Sequence, residues 1–208
     1  MDNAKFVLGV DLDGVVADFY EGLRIIAAEW LDVPLDKLTP DVTYGLPEWK
    51  LDQAPGGYDA LHRFAVTQRE LFKVLKPIPG APAALRRLSA SGVRIRIITH
   101  RLFIKYFHQI AVSQTIEWLD HHDIPYWDLC FMKDKAAVGA DLYIEDSPSN
   151  IEKLRADGHQ TIVFLNSTNL SLPSPRANNW GEAEALIVKT RDEWLSKVQN
   201  QNKELSGE

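Results

Sequence analysis

The sequence predicts an α/β fold, in which a parallel β-sheet is covered by helices and a mostly helical segment is inserted near the N-terminus. Apolar, β-rich runs alternate along the chain with helical patterns, an order that favours parallel strands joined by crossover helices. The alternation breaks between Asp18 and Pro77, where no convincing buried strand occurs. In addition, polar residues that can bind phosphate or metal follow four of the predicted strands.

Five strands are predicted from short runs rich in apolar and β-branched residues. They cover Phe6–Val10, Val93–Thr99, Leu129–Met132, Leu142–Glu145 and Thr161–Leu165. Helical spacing of apolar residues predicts helices between these strands. They cover Pro82–Ala90, Ala111–His122 and Pro148–Asp157. Pro82 and Pro148 fit a first helical turn, and Gly92 and Gly158 fit the end of a helix.

The C-terminal part of the chain predicts one more helix and then a polar tail. Apolar residues recur with helical spacing over Glu182–Val198. Residues 199–208 are polar, and polar chain ends commonly fray, so we expect a flexible tail there.

The interval without strands predicts a cap. A helical pattern covers Ala17–Leu31, a loop rich in proline and aspartate covers Asp32–Pro55, and a second helical pattern covers Tyr58–Leu75. An insertion of roughly 60 residues is too long for an ordinary connection, and lids of this size exclude water and select substrates. We therefore expect a core domain of residues 1–17 and 78–198 with a helical cap of residues 18–77.

Composition narrows the class of partner. The chain has 208 residues and a net charge of -6, which argues against a general nucleic-acid binder. Cys130 is the only cysteine, so no intrachain disulfide can form. No apolar run approaches the roughly 20 residues that span a bilayer, and Met1–Lys5 does not resemble a signal peptide. We expect a cytoplasmic protein that binds neither nucleic acid nor membrane; a homodimer is compatible with the sequence.

The most informative stretch is the acidic motif that follows the first strand. Asp11 and Asp13 come directly after Phe6–Val10 and directly before Gly14. Two carboxylates this close repel each other, so they belong in water or on a cation. A chain tolerates this arrangement where a hard metal or a phosphoryl group needs it.

Three more strand ends carry polar residues, and parallel strands bring such ends to one edge of the sheet. Thr99 and Arg101 flank His100 after the second strand, Lys133 and Lys135 follow the third, and Glu145 and Asp146 end the fourth; these residues supply hydroxyl, cationic and acidic groups in that order. A carboxylate can attack phosphorus, while a hydroxyl and an ammonium hold phosphoryl oxygens. Acidic residues bind magnesium, which prefers oxygen ligands.

This order of acid, hydroxyl, lysine and acid resembles the four motifs of the haloacid dehalogenase (HAD) superfamily of phosphohydrolases. Within it, the chain most resembles the 5'(3')-deoxyribonucleotidases, because Asp11–Phe19 fits the pattern Asp-x-Asp-Gly-Val-x-Ala-Asp-Phe. The junction Leu75–Ala81 and the stretch Lys133–Pro148 are also similar to that family. The segment Tyr20–Arg69 does not align with confidence. The resemblance implies a HAD-like Rossmannoid core of three layers.

The resemblance also implies roles in catalysis. Asp11 would be the nucleophile, and Asp13 would protonate the leaving alcohol and later activate water. Thr99 and Lys135 would hold the phosphate, and Phe19 would form an apolar wall against a nucleobase.

A magnesium ion would be bound by Asp11, Asp146 and the backbone carbonyl of Asp13. Glu145 stands where the family more often has aspartate, so its metal contact is either direct or through water. The implied enzyme is a magnesium-dependent phosphomonoesterase of nucleoside monophosphates, with deoxyribonucleotides favoured.

Several alternatives stay open. Arg101 either clamps a second anionic group or pairs with a surface acid, and His100 either faces the site or packs under the cap. Tyr44, Trp49 and Tyr58 either stack on a base or form the core of the cap. The substrate can instead be a sugar phosphate or another small phosphomonoester. A third hypothesis for the function is a non-catalytic protein that binds phosphate.

Overall fold

A computed structural model describes residues 5–102, 105 and 107–206 of the chain, with side chains through residue 201. Residues 1–4 of the predicted core and residues 207–208 of the predicted tail lie outside this range. The described strands are β1 Val7–Val10, β2 Arg94–Thr99, β3 Asp128–Phe131, β4 Leu142–Glu145, β5 Thr161–Phe164 and β6 Arg176–Ala177. The described α-helices are α1 Phe19–Leu31, α2 Gly57–Gln68, α3 Leu71–Val74, α4 Ala81–Ala90, α5 His108–His121, α6 Pro148–Ala156 and α7 Trp180–Ser206.

The strands form one sheet in the order β3-β2-β1-β4-β5-β6, and all the described pairings are parallel. Strand β1 lies at the centre, where Val10 is in register with Ile97 of β2 and Ile144 of β4. The chain adds β2 and β3 on one side of β1 and then β4, β5 and β6 on the other, and this reversal is where open α/β sheets bind ligands. The register therefore brings the residues that follow β1, β2 and β4 to one crevice.

The core is the apolar sheet together with the helices packed on it. Every residue of β4 and of β5 is buried, as expected for strands covered on both faces. Helix α4 contacts α7, and α6 packs against β5. The predicted α/β fold with a parallel sheet is confirmed. Among the described residues, no helix is both long enough and apolar enough to cross a bilayer.

All five predicted strands are present within one or two residues at each end, and β6 was missed. Strand β6 has two residues and follows two prolines, Pro173 and Pro175, so its sequence gives no strand pattern. Helix α5 begins at His108, three positions before the predicted start. Helix α7 begins at Trp180 and continues to Ser206, so the segment predicted to fray from residue 199 is helical as far as residue 206.

The segment between β1 and α4 contains helices α1 to α3 and three short 3-10 turns at Leu35–Lys37, Pro47–Trp49 and Leu51–Gln53. Its two ends meet, because the Asp18 amide donates to the Lys76 carbonyl at 2.8 Å and the Ile78 amide donates to the Val16 carbonyl at 2.7 Å. The Asp18 carboxylate also caps α1 by accepting from the Glu21 amide at 3.4 Å. The segment thus leaves and rejoins the sheet at one place.

Candidate active site

The acidic motif forms a tight turn at the end of β1. The Asp11 amide donates to the Ile144 carbonyl at 3.1 Å, which extends the pairing with β4 by one residue. Gly14 has a φ of +87°, and a Cβ at this position would lie 2.1 Å from Oδ2 of Asp146. Glycine is required at this position because a side chain would be strained and would displace that carboxylate.

Three buried carboxylates meet beside this turn. Asp11, Glu145 and Asp146 each offer an oxygen, and these oxygens lie within 4.8 Å of one another. The ammonium of Lys135 lies between two of them, with Nζ 2.6 Å from Oδ1 of Asp11 and 2.5 Å from Oε2 of Glu145. Burial alone would lower the pKa of Lys135, but the two carboxylates raise it above its usual value, so the side chain stays charged.

With all three carboxylates ionised, the cluster would carry an excess of negative charge, which burial makes unfavourable. Burial, and then the Glu145 carboxylate, raises the pKa of Asp11 to about 8. Burial and the charges of Glu145 and Asp11 also raise the pKa of Asp146 well above its usual value. Three carboxylates that share one ammonium favour a further cation, and carboxylate oxygens are the ligands that hard divalent metals prefer. The donor set therefore fits a metal ion.

Polar residues after β5, which were not among the predicted site residues, hold Asp146 in place. The Asn166 amide group donates to Oδ2 of Asp146 at 2.7 Å, and the Asn169 amide group donates to the Asp146 carbonyl at 2.7 Å. Ser167, between them, donates to the Val42 carbonyl at 2.7 Å and accepts from the Val42 amide at 3.1 Å. The place of Asn166 and Asn169 after β5 could have indicated this role, because β5 ends at the same edge of the sheet as β1 and β4.

Asp13 does not join the cluster. Its carboxylate faces Arg101, which donates from Nε to Oδ2 at 3.0 Å and from Nη2 to Oδ1 at 2.6 Å. Arg101 is buried and pairs with an acid of the site, which is neither of the two roles that the sequence left open. The metal contact expected of Asp13 involves its backbone carbonyl, and that contact stays a prediction.

A cavity of about 450 Å³ opens over the turn, a volume in the range of small-molecule sites. Its lining includes all the predicted site residues except Glu145, which lies buried behind Lys135. The hydroxyl of Thr99 is buried and has no hydrogen-bond partner among the described residues, which suits a ligand oxygen. His100 lines the cavity; burial and then the neighbouring Lys133 and Lys135 lower its pKa.

Aromatic residues of the inserted segment form one wall of the cavity. The Tyr58 and His62 rings stack with centroids 5.6 Å apart, and the Phe19 and His62 centroids are 6.4 Å apart. Burial lowers the pKa of His62 to about 4, so this residue, which was not among the predicted site residues, is a neutral ring. Tyr44 also lines the cavity, whereas Trp49 is buried in the segment and donates from its indole nitrogen to the Thr39 carbonyl at 2.9 Å.

A sequence model of the family described as "5' nucleotidase, deoxy (Pyrimidine), cytosolic type C protein" matches residues 5–193. A curated relative from Chlorobaculum tepidum, described as "Putative 5'(3')-deoxyribonucleotidase", is 57% identical over 187 residues, which are 90% of this chain and 92% of the relative. The chain belongs to this family. The human "5'(3')-deoxyribonucleotidase, cytosolic type" is 29% identical over 192 residues, with 83% of this chain and 90% of the human protein covered.

Solved structures agree on the fold. The haloacid dehalogenase-like family protein SP0104 from Streptococcus pneumoniae superposes with a TM-score of 0.61 and 15% identity, over 88% of this chain and 98% of that one. A haloacid dehalogenase-like family hydrolase from Xanthomonas campestris gives a TM-score of 0.55 with 17% identity, over 91% and 97% of the two chains. The predicted HAD-like core and family are confirmed: this chain is a HAD-type 5'-nucleotidase, a hydrolase of phosphoric monoesters.

Proposed function

We propose that this 5'-nucleotidase hydrolyses deoxyribonucleoside monophosphates in a magnesium-dependent reaction through an aspartyl-phosphate. The observation that carries the proposal is the buried carboxylate of Asp11, held 2.6 Å from Lys135 at the floor of an aromatic-walled cavity. The substrate class is supported by the word "deoxy" in the family description and by the names of the bacterial and human relatives.

In the first step, a carboxylate oxygen of Asp11 attacks phosphorus while the bond from phosphorus to the nucleoside oxygen breaks. Asp13 gives its proton to that oxygen, so the nucleoside leaves as a neutral alcohol. In the second step, the Asp13 carboxylate takes a proton from a water molecule that attacks the phosphorus. The acyl phosphate then breaks, which releases inorganic phosphate and restores Asp11.

Thr99 and Lys135 hold the phosphoryl oxygens in this proposal. The buried hydroxyl of Thr99 is available to a ligand, and the Lys135 ammonium adjoins the nucleophile. Lys133 is exposed at the rim of the cavity, so it is the weaker candidate for this role.

Asp11, Asp146 and the backbone carbonyl of Asp13 hold the magnesium ion in this proposal. Glu145 already accepts from Lys135 at 2.5 Å and from the amides of Asp146 and Ser147 at 3.2 and 3.0 Å. We therefore assign Glu145 to orienting these groups, with any metal contact made through water. When bound, magnesium neutralises charge on the nucleophile and on the phosphoryl oxygens.

We assign residues 18–77 to a cap and residues 1–17 and 78–198 to the core that carries the acids. Phe19, Tyr44 and Tyr58 line the cavity, and aromatic rings bind the faces of nucleobases. We also propose a cytoplasmic location, since the human relative is described as cytosolic. A homodimer is the assembly to test, by light scattering at assay concentration.

The test is release of inorganic phosphate from deoxyribonucleoside 5'- and 3'-monophosphates, ribonucleotides and sugar phosphates, each with magnesium, with calcium and with EDTA. We expect magnesium-dependent turnover with the highest kcat/KM for deoxyribonucleotides. Comparable kcat/KM for simple sugar phosphates contradicts the nucleotide assignment, and turnover of an aryl phosphate that EDTA leaves unchanged contradicts the metal.

Asp11→Asn tests the nucleophile and should reduce turnover to background while the protein stays folded. Asp134→Asn is the matched control, because Asp134 is an exposed carboxylate that pairs with Lys153 at 3.0 Å and does not line the cavity. Normal turnover in Asp11→Asn contradicts the aspartyl-phosphate.

A further inference from the structure

We propose that Arg101 is a positioning residue that fixes the orientation of the Asp13 carboxylate for proton transfer. This inference rests on the proposed function, in which Asp13 is the acid and then the base. It adds that proton transfer depends on a buried cation that follows β2.

The geometry of the pair is that of a clamp. Two nitrogens of one planar guanidinium donate to the two oxygens of Asp13, at 3.0 and 2.6 Å. Such a fork fixes the plane of a carboxylate, which a single contact does not do. Each carboxylate oxygen has a second lone pair, so Asp13 keeps an acceptor site for a proton. Both residues line the cavity, but the Asp13 side chain is 23% exposed while that of Arg101 is 0% exposed, so the acid and not the guanidinium is open to solvent.

Arg101 is held from behind by two helices. Its Nη1 donates to the Thr115 hydroxyl of α5 at 3.2 Å, and its guanidinium carbon lies 4.3 Å from the centre of the Phe72 ring in α3. These contacts leave no exposed surface from which Arg101 can clamp an incoming anion. They also connect the acid to the inserted segment, since Phe72 belongs to that segment and lines the cavity.

A lysine cannot replace this arrangement. Its three donors sit on one freely rotating nitrogen at the end of a flexible stem, so lysine can supply the charge without fixing the carboxylate plane. Arg101→Lys therefore separates orientation from charge, and Arg101→Gln removes both. If Arg101 served only to balance charge, the lysine variant would keep the activity.

Substrates with different leaving groups show whether the proton donor is impaired. A nucleoside oxygen leaves as a strong base and needs a proton, whereas p-nitrophenolate leaves without one. In pre-steady-state experiments with excess p-nitrophenyl phosphate, the first step of its hydrolysis is seen directly as a burst of nitrophenolate. A defect in the orientation of Asp13 must slow the first step with a deoxyribonucleotide far more than it lowers the rate of this burst.

We expect Arg101→Gln and Arg101→Lys to slow the first step with a deoxyribonucleotide by roughly 100-fold or more, the scale of general acid catalysis, and to change the burst by less than about 10-fold. Combining Arg101→Gln with Asp13→Asn should be no worse than Asp13→Asn alone, because both changes remove one function. Arg94→Gln is the matched control: Arg94 forms a similar fork with Asp128, at 3.2 and 3.0 Å, at the opposite end of β2.

Equal losses for the two substrates, additive effects in the double variant, or full activity of Arg101→Lys would each overturn the inference. Thr115→Val supplies a milder test if the Arg101 variants do not fold, because it removes only the hydrogen bond at Nη1. We expect a smaller loss that is again greater for the deoxyribonucleotide than for p-nitrophenyl phosphate. An equal loss for both substrates would contradict the inference. A wild-type protein without nucleotide turnover, or an Asp13→Asn variant without leaving-group dependence, would instead refute the proposed function.

Discussion

The floor and the wall of the cavity are built in different ways. The floor consists of the residues that follow β1, β2, β3 and β4, and its side chains are joined by ion pairs such as Lys135 with Asp11 and Arg101 with Asp13. The wall comes from the segment inserted after β1, and its side chains are joined by ring contacts such as the stack of Tyr58 on His62.

This difference separates two kinds of constraint. Floor positions follow from the sheet register, since Val10 pairs with Ile97 and Ile144 on its two sides. Wall positions follow from how helices of the insert pack, which no register fixes. On the proposed function, the floor carries the reaction and the wall selects the substrate. Changes in the floor should therefore alter rate, and changes in the wall should alter substrate preference.

We expect the largest effect from loss of the buried Lys135 ammonium. Lys135→Gln leaves the buried carboxylates without their ammonium, so we expect turnover to fall by roughly 10³-fold and the free energy of unfolding to fall by about 3–5 kcal/mol. Added divalent cation should restore part of the stability. The measurements are kcat and urea unfolding with and without metal.

Lys133→Gln is the control for this prediction, because Lys133 is exposed at the rim. A similar loss in both lysine variants would show that general positive charge, and not the buried contact, matters.

The next effect is expected at the turn of the acidic motif. Gly14→Ala places a methyl group against Oδ2 of Asp146, so the carboxylate must move, and we expect turnover to fall by roughly 100-fold. Gly92→Ala is matched, because Gly92 has a φ of +90° and nothing within 4 Å of an added Cβ. Both variants should lose stability, and only Gly14→Ala should lose activity. Full activity in Gly14→Ala would show that the cluster tolerates the shift.

In the wall, His62 should make the free energy of unfolding depend on pH. Its pKa is lowered by burial to about 4 in the folded state and is ordinary in the unfolded chain, so the unfolded state binds the extra proton as pH falls. Stability should drop by about 2 kcal/mol between about pH 7 and pH 5 from this residue alone. His62→Phe should remove that part of the slope in urea unfolding, whereas His108→Gln, at an exposed position, should keep it. An unchanged slope in His62→Phe contradicts the assignment.

Substrate preference should show the smallest effect. Tyr58→Ala removes a ring from the wall, so kcat/KM for a deoxyribonucleotide should fall by about 10-fold through loss of stacking. The value for p-nitrophenyl phosphate should change little, because this substrate carries no base. Trp49→Phe is a control inside the insert, since Trp49 is buried away from the cavity. Equal loss for both substrates would mean that Tyr58 supports the floor.

The sequence predicts the floor well because two strong patterns coincide there. Apolar runs identify the strands, and the polar residues after Val10, Thr99 and Ile144 must then share an edge. The same rule extends to Asn166 after β5, although amides are common in loops and carry a weaker signal. The pairing of Arg101 with Asp13 was not predictable, since it depends on how far the chain turns after β2.

The wall was harder to predict for a physical reason. Helical periodicity indicates that α1 and α2 exist, but it does not say which helix face meets the cavity. Tyr58 and Trp49 are both aromatic residues of the insert, yet Tyr58 lines the cavity and Trp49 forms part of the interior of the insert. His62 reads as an ordinary polar residue until the fold places it among aromatic rings.

Trp180, the first residue of α7, completes the hydrogen bonding of the loop that carries the acidic motif. Its indole donates to the Val15 carbonyl at 2.8 Å, across 165 positions of sequence. A chain emerging from the ribosome has the acidic motif long before it has this donor, and until then the Val15 carbonyl lacks its buried partner. The loop that carries the acidic motif is therefore completed by helix α7, a part of the chain that is translated long after it.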